Sequence, residues 1–267
     1  HRPNDTVEAK LAALGEVVPP KGVDSLDAYC QLRVKELGCL SDGEVKAMTE
    51  ESEASDEPWE YWCGCTIEEH IKAENQEGPI LEAAILSIGE EEIPYVIETE
   101  SVLAVRTKDG GWQEVHSVLR SWMKEFCDSE TDDGKIGKIE FKDLSPAPGL
   151  ELLASWEHYF NDPPDLDADD QPMVDTSTYG QVFCAGPVPR CTRWQTGRTV
   201  DTAEWNGNWY DDPTSVRTRM SAAFSDDGVT IKREEGQARD ASWKGLEGSH
   251  SFDELFEKPE FRPQRLR

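Results

Sequence analysis

Basic residues are scarce in this 267-residue chain: 27 Lys and Arg stand against 55 Asp and Glu, a formal charge of −28. A surface of that sign repels phosphate backbones and anionic headgroups, so nucleic acid is excluded as an expected partner. Basic proteins, cations and glycans remain. Long apolar runs are missing as well. The longest apolar-leaning stretch, residues 79–88, is about half of the ~20 residues a spanning helix needs, so no membrane span is expected. Histidine is thin, with His1, His70, His116, His158 and His250 dispersed and no His-Glu-x-x-His pair to mark a catalytic zinc. There is no Gly-x-Ser-x-Gly elbow, no phosphate-cradling glycine loop and no Cys-x-x-Cys pair. No catalytic residue is assigned on these grounds, and whether the chain is an enzyme stays open.

Nine tryptophans are present, which excludes a disordered chain, because disordered sequences are poor in large aromatics. Seven cysteines, Cys30, Cys39, Cys63, Cys65, Cys127, Cys184 and Cys191, are spread along the chain. That spread suits two or three long-range disulfides with one thiol left over, and buried reduced cysteines are the competing reading. Asn4-Asp5-Thr6 is a glycosylation sequon at Asn4, meaningful on a secretory route. The opening His1-Arg2-Pro3, with no initiator Met, reads either as the end left when a signal or pro-segment is removed or as a trimmed end. The expected location is therefore extracellular.

Residues 1–90 read as a mainly helical region. Asn4 or Asp5 opens a first helix. Ser25 opens a second, with Leu26, Tyr29, Cys30, Val34 and Leu37 at helical spacing, and Ser41 opens a third. Thr66 with Glu69 forms a capping-box pattern, and residues 80–88 read as a buried helix. Residues 91–267 read as an α+β region with a loop-rich end. Strands are expected at 95–97, 102–105 and 136–141, with helices at 115–126 and 150–160. Ser225-Asp226-Asp227-Gly228 marks a hairpin turn between 220–224 and 229–232. The fold class expected is α+β, a helical N-terminal part followed by a mixed β-rich part with short strands, possibly as one continuous domain.

Two constellations could carry chemistry. Ser129, Thr131, Asp133 and Glu140, with Gly134 at loop position 6, follow the register of a helix–loop–helix calcium site, and Asp165, Asp167 and Asp169 form a second acidic run. Calcium needs six to eight hard oxygens and a sharp turn, which that spacing would provide; the competing reading is a plain turn at Asp132-Asp133-Gly134. No cofactor is certain, and calcium is the possible one. The second constellation is aromatic: Trp59, Tyr61 and Trp62, then Trp205, Trp209 and Tyr210, interleave rings with polar groups. Such patches stack on sugar faces, although core packing explains aromatic runs equally.

The segment from His116 to Cys127, followed by Asp133-Gly134-Lys135-Ile136, resembles fungal secreted, effector-like proteins in which a helix ending at Phe-Cys leads through a glycine turn into a strand. The likeness covers about residues 112–191. It implies secretion, disulfides involving cysteines such as Cys184 and Cys191, and action at a host or cell-wall surface. The function expected is a secreted, acidic, disulfide-bonded interaction protein that binds an extracellular protein or glycan. The alternatives are an extracellular carbohydrate-active hydrolase and a calcium-binding extracellular protein.

Overall fold

The computed structural model describes residues 23–257 and 264–265, apart from 38, 41–42, 48, 50–59, 75–76, 94–95, 109, 124–130, 146–148, 163–171, 186–189, 205–211 and 237–244. The expected α+β class with a helical front is not what forms. The chain is mostly antiparallel β-sheet. Eleven strands, each paired with the next in sequence, run as one meander: β1 (Glu60–Lys72), β2 (Ile80–Ile93), β3 (Val96–Thr107), β4 (Gly111–Met123), β5 (Thr131–Lys142), β6 (Glu151–Asp162), β7 (Met173–Ala185), β8 (Arg190–Ala203), β9 (Thr214–Ser225), β10 (Gly228–Glu235) and β11 (Gly248–Ser251). A two-residue strand, β12 (Gln264–Arg265), pairs with β8. Among the described residues helix is confined to short pieces: α1 (Leu26–Leu37), a helical turn at residues 43–47 and α2 (Phe252–Glu257).

The sheet folds back on itself at β4–β5, where only Arg120, Ser121 and Trp122 pair with Asp133, Asp132 and Thr131. Strands β2–β4 thereby face β5–β8 across a core of Ile85, Leu103, Val105, Val118, Ile136, Leu152 and Val182, among others. Gly134 sits at the fold. A Cβ there would lie 2.3 Å from the Leu119 carbonyl and 2.7 Å from the Val118 Cβ, so only glycine lets β5 cross β4 this closely. The Ile136 amide then donates to the buried Ser101 hydroxyl at 2.9 Å, tying β5 to β3 across the layers.

Both sheet halves are covered on their outer faces too. Ala84, Leu86, Ile88, Val102 and Ala104 alternate with the inner residues of β2 and β3 and meet Leu26, Tyr29 and Cys30 of α1. Ser25 caps α1 by accepting from the Ala28 amide, and two disulfides, Cys30–Cys65 and Cys39–Cys63, tie this region to β1. On the far side, Leu153, Phe183, Met220, Val229 and Ile231 meet Leu255 and Phe256 of α2. Ser251 and Glu254 form a reciprocal capping box that starts α2, and Phe183 stacks on Phe252 and Phe256. The layers run α1, β2–β4, β5–β8, α2.

Burial on both faces is the reason the helical expectations fail. Residues 80–88 lie in strand β2, buried on both sides, so apart from Glu82 and Ser87 they show the apolar run of a core segment and not an alternation. Residues 150–160 repeat this in β6, with Leu152 and Ala154 facing inward and Leu153 facing α2. The supposed capping box at Thr66 and Glu69 lies inside β1, and residues 115–123 of the supposed amphipathic helix lie inside β4. Both strands carry bulges, at Glu68 in β1 and Val115 in β4. The loop-rich end is instead four long strands, β7 to β10, with the expected hairpin at Asp226-Asp227 present as the β9–β10 turn. Strand β2 crosses residue 90 without interruption. The α1 helix stands where it was expected, and the first expected helix lies outside the described residues.

Candidate functional site

The outer face of β7 changes character along its length. Phe183 is buried against α2, whereas Gln181, Tyr179 and Ser177, at two-residue steps on that same face, leave the apolar cluster; Gln181 and Ser177 are half-buried and Tyr179 is exposed. The strands beside them do not stay in register. β8 and β9 pair only where Gly197–Thr202 meet Thr214–Arg219, while from Arg219 onward β9 pairs with β10, and the start of β8 pairs with β12. Two bulges accompany the divergence, one leaving Thr196 unpaired between Tyr179 and Gly180 registers, the other leaving Glu234 unpaired between Arg233 and Glu235. Bulges bend a strand and re-aim side chains, and both extra residues line the opening that results.

That opening is a groove of about 720 Å³. Tyr179 forms a ridge in it, 42% exposed, its ring laid on Gly197, where a Cβ would stand 3.2 Å from the ring. Ser177, Thr199, Arg217 and Arg219 line the groove with it, and register places Thr199 directly opposite both Ser177 and Arg217. Ser221, Gln181, Asp201 and Glu235 add hydroxyl, amide and carboxylate groups, and Met220 and Ala222 add apolar surface. The Gln181 Oε1 is buried with no hydrogen-bond partner among the described residues, an acceptor at the wall of the groove. Gly236, at φ 103°, directly follows the groove residue Glu235, and a Cβ there would lie 2.6 Å from the Thr218 hydroxyl.

Charge is distributed unevenly around this site. Residues 176–235, the stretch that holds the groove lining, carry seven Lys and Arg against eight Asp and Glu, whereas the remainder carries 20 against 47. Arg219 pairs with Glu234 at 3.5 Å, both exposed, and Asp201 accepts a hydrogen bond from Ser215. Arg198 and Arg217 make no ion pair with a described residue. In a chain with twice as many acids as bases, an arginine without a carboxylate is the exception.

The sequence-derived site residues fare differently. Tyr61 is engaged structurally: its hydroxyl accepts from the Leu40 amide at 2.9 Å and donates to Glu90 at 3.2 Å. Trp62 is exposed on β1 and lies over Gly64, away from the groove. Trp59, Trp205, Trp209, Tyr210 and Asn4 lie outside the described residues. Thr131, Asp133 and Glu140 all stand on β5, and the extended strand carries Asp133 and Glu140 on the order of 20 Å apart. Asp133 pairs with Arg120 at 3.3 Å, and Glu140 with Lys138 and Lys142, whose hydrogen bonds hold its carboxyl below the usual range. The loop that would gather these oxygens is not formed there. Ser129, Asp165, Asp167 and Asp169 lie outside the described residues, and among the described residues no group of three or more His, Cys, Asp or Glu side chains could hold a metal. Six of the seven cysteines pair, Cys184 with Cys191 across β7–β8 in addition to the two pairs at α1; Cys127 lies outside the described residues.

Two histidine–carboxylate contacts link neighbouring strands outside the groove. His158 meets Asp132 between β6 and β5, and His70 meets Glu82 at 2.7 Å. Glu82 also binds Arg106 and Lys72; burial works against its charge, but these cationic and hydrogen-bonding partners win and hold its carboxyl below the usual range. It is a cross-strand tie joining β1, β2 and β3.

The groove residues Tyr179, Arg217 and Arg219 escaped the sequence reading. Two signals were available: the near-even charge balance of residues 176–235 in an acidic chain, and the alternation Arg217-x-Arg219 on a strand-like segment. Among the described residues no helix is long and apolar enough to cross a membrane. Compared with known proteins, the chain matches no family model, no curated protein and no solved structure.

Proposed function

We propose that this chain is a secreted, disulfide-stabilised glycan-binding protein that holds a saccharide in the groove between β7 and β10. The observation that carries the reading is the lining: an exposed Tyr179 ring set among hydroxyls, an amide with an unsatisfied oxygen, carboxylates and arginines. A sugar presents CH faces that pack on an aromatic ring and hydroxyls that satisfy such polar groups. The three disulfides support an oxidising compartment.

Binding is favoured over hydrolysis by how the groove carboxylates are engaged. Of the three groove carboxylates, Glu234 pairs with Arg219 and Asp201 accepts from Ser215, which leaves only Glu235 without such a partner among the described residues, whereas glycoside hydrolysis uses two carboxyl groups flanking one bond. The test is calorimetric titration with a panel of neutral and acidic oligosaccharides, alongside product analysis. Saturable binding without turnover, lost in Tyr179→Ala and kept in Trp62→Ala, is the expected result. No binding to any saccharide, or equal binding by Tyr179→Ala, overturns the reading, and released shorter sugars convert it to a hydrolase.

A further inference from the structure

We infer that the groove selects saccharides bearing carboxylate groups, with Arg217 reading the carboxylate while the sugar ring lies on Tyr179; the inference rests on the glycan reading above. It starts from an imbalance. With 55 acids against 27 bases, a surface arginine has carboxylates within easy reach, and others here use them: Arg33 binds Glu100 and Glu114, Arg106 binds Glu82, Arg120 binds Asp133, and Arg233 binds Glu247. Arg217 has none among the described residues, although Asp201 stands two positions along the neighbouring strand from its partner Thr199. That carboxylate is turned to Ser215 instead.

Position strengthens the case. Arg217 is opposite Thr199, which is opposite Ser177, so a row of two hydroxyls and one guanidinium crosses the groove beside Tyr179. Two residues further along β9, Arg219 lies opposite Gly197, the residue under the Tyr179 ring. Its pair with Glu234 is long and exposed on both sides, the kind of contact worth little and readily exchanged for a ligand anion. A guanidinium presents paired N–H donors that match a planar carboxylate, so an unpartnered arginine beside an aromatic ring suits a uronic acid better than a neutral hexose. The surrounding charge of the chain disfavours any anion at long range, so affinity for an acidic sugar has to come from this local pair.

The experiment is titration of the intact protein with a tetramer of galacturonic acid, its methyl ester, a neutral oligosaccharide of equal length and a sulfated one. The expected result is binding of the acid about tenfold or more tighter than of the ester, lost in Arg217→Gln and partly kept in Arg217→Lys, which holds the charge without the fork. Unchanged thermal unfolding of both variants excludes misfolding. Equal binding of acid and ester, or an Arg217→Gln variant that binds the acid as the parent does, overturns the inference while leaving a neutral-glycan groove in place. Preference for the sulfated sugar over the uronate also overturns it. Failure of all four ligands removes the glycan reading itself.

Discussion

Arg193 Nη1 donates to His116 Nδ1 across the core at 2.8 Å, joining β8 to β4. An arginine can only donate, so the bond requires the unprotonated Nδ1 and fixes His116 as the neutral Nε2–H tautomer. The imidazole is 6% exposed and meets the Trp156 indole edge-on at 5.5 Å. Burial, with the adjacent guanidinium adding to it, pushes its pKa down to about 4.

That depression makes stability fall in mild acid. A histidine whose folded pKa lies below its unfolded value of ~6.5 binds fewer protons folded than unfolded. Its contribution is complete above about pH 6.5 and is lost as pH falls toward about 4. The loss is on the order of 3 kcal/mol. Urea unfolding of the parent and of His116→Gln between pH 7.5 and 4.5 checks this: the parent should lose distinctly more stability over that window. Parallel pH profiles would refute the assignment.

Gly134→Ala should break the fold at its bend. The added methyl meets a carbonyl oxygen and a Val118 Cβ within van der Waals distance, neither of which can swing away, and overpacking of this kind costs about 1–3 kcal/mol or more. Gly64→Ala is the comparison, because its nearest neighbour is the ring of exposed Trp62 at 3.2 Å. Thermal unfolding should show a clear drop for the first and a small one for the second.

Alkylation before reduction should leave Cys30, Cys39, Cys63, Cys65, Cys184 and Cys191 unlabelled, with all seven cysteines labelled afterwards. Removing the Cys30–Cys65 link, with a separation of 35 residues, should cost about 4 kcal/mol, and removing Cys184–Cys191, separated by seven, about 2 kcal/mol. Cys184 and Cys191 are almost wholly buried, so graded reductant should open the α1 pairs first. Mass mapping of partly reduced protein reads the order directly.

Glu82→Gln should destabilise by about 1–3 kcal/mol, since it strips the shared charge from Arg106, His70 and Lys72. Because the carboxyl titrates below its ordinary range, its contribution is present above that range and lost as pH falls through the folded value. The gap between parent and variant should therefore narrow in acid, as measured by urea midpoints at pH 7 and pH 3.5.

Strand β4 shows why sequence periodicity misled. Val115, Val118 and Leu119 sit at the three- and four-residue spacing of a helix face. In the structure Leu103 pairs with His116 and Ala104 with Glu114, so Val115 is the extra residue of a bulge. Before it, Trp112 and Glu114 face α1; after it, His116 and Val118 face the core. One inserted residue flips the alternation and imitates a helix. Strand β1 does the same with the extra Glu68 between Ile67 and Glu69.

What the sequence determined by itself is what depends on composition and on immediate neighbours. The acid excess follows from residue counts, the Ser25 start of α1 from a cap three residues from its amide, and the Asp226-Asp227 hairpin from a two-residue turn. The spread of cysteines pointed to disulfides, but not to which partners. Tertiary structure alone decided the strand identity of β2, β4 and β6, because burial on two faces and a shifted register erase the period that would announce a strand. It also decided the groove: Ser177, Tyr179, Gly197, Arg217 and Glu234 come from four strands and meet only because β9 leaves β8 for β10, a divergence set by packing between distant segments.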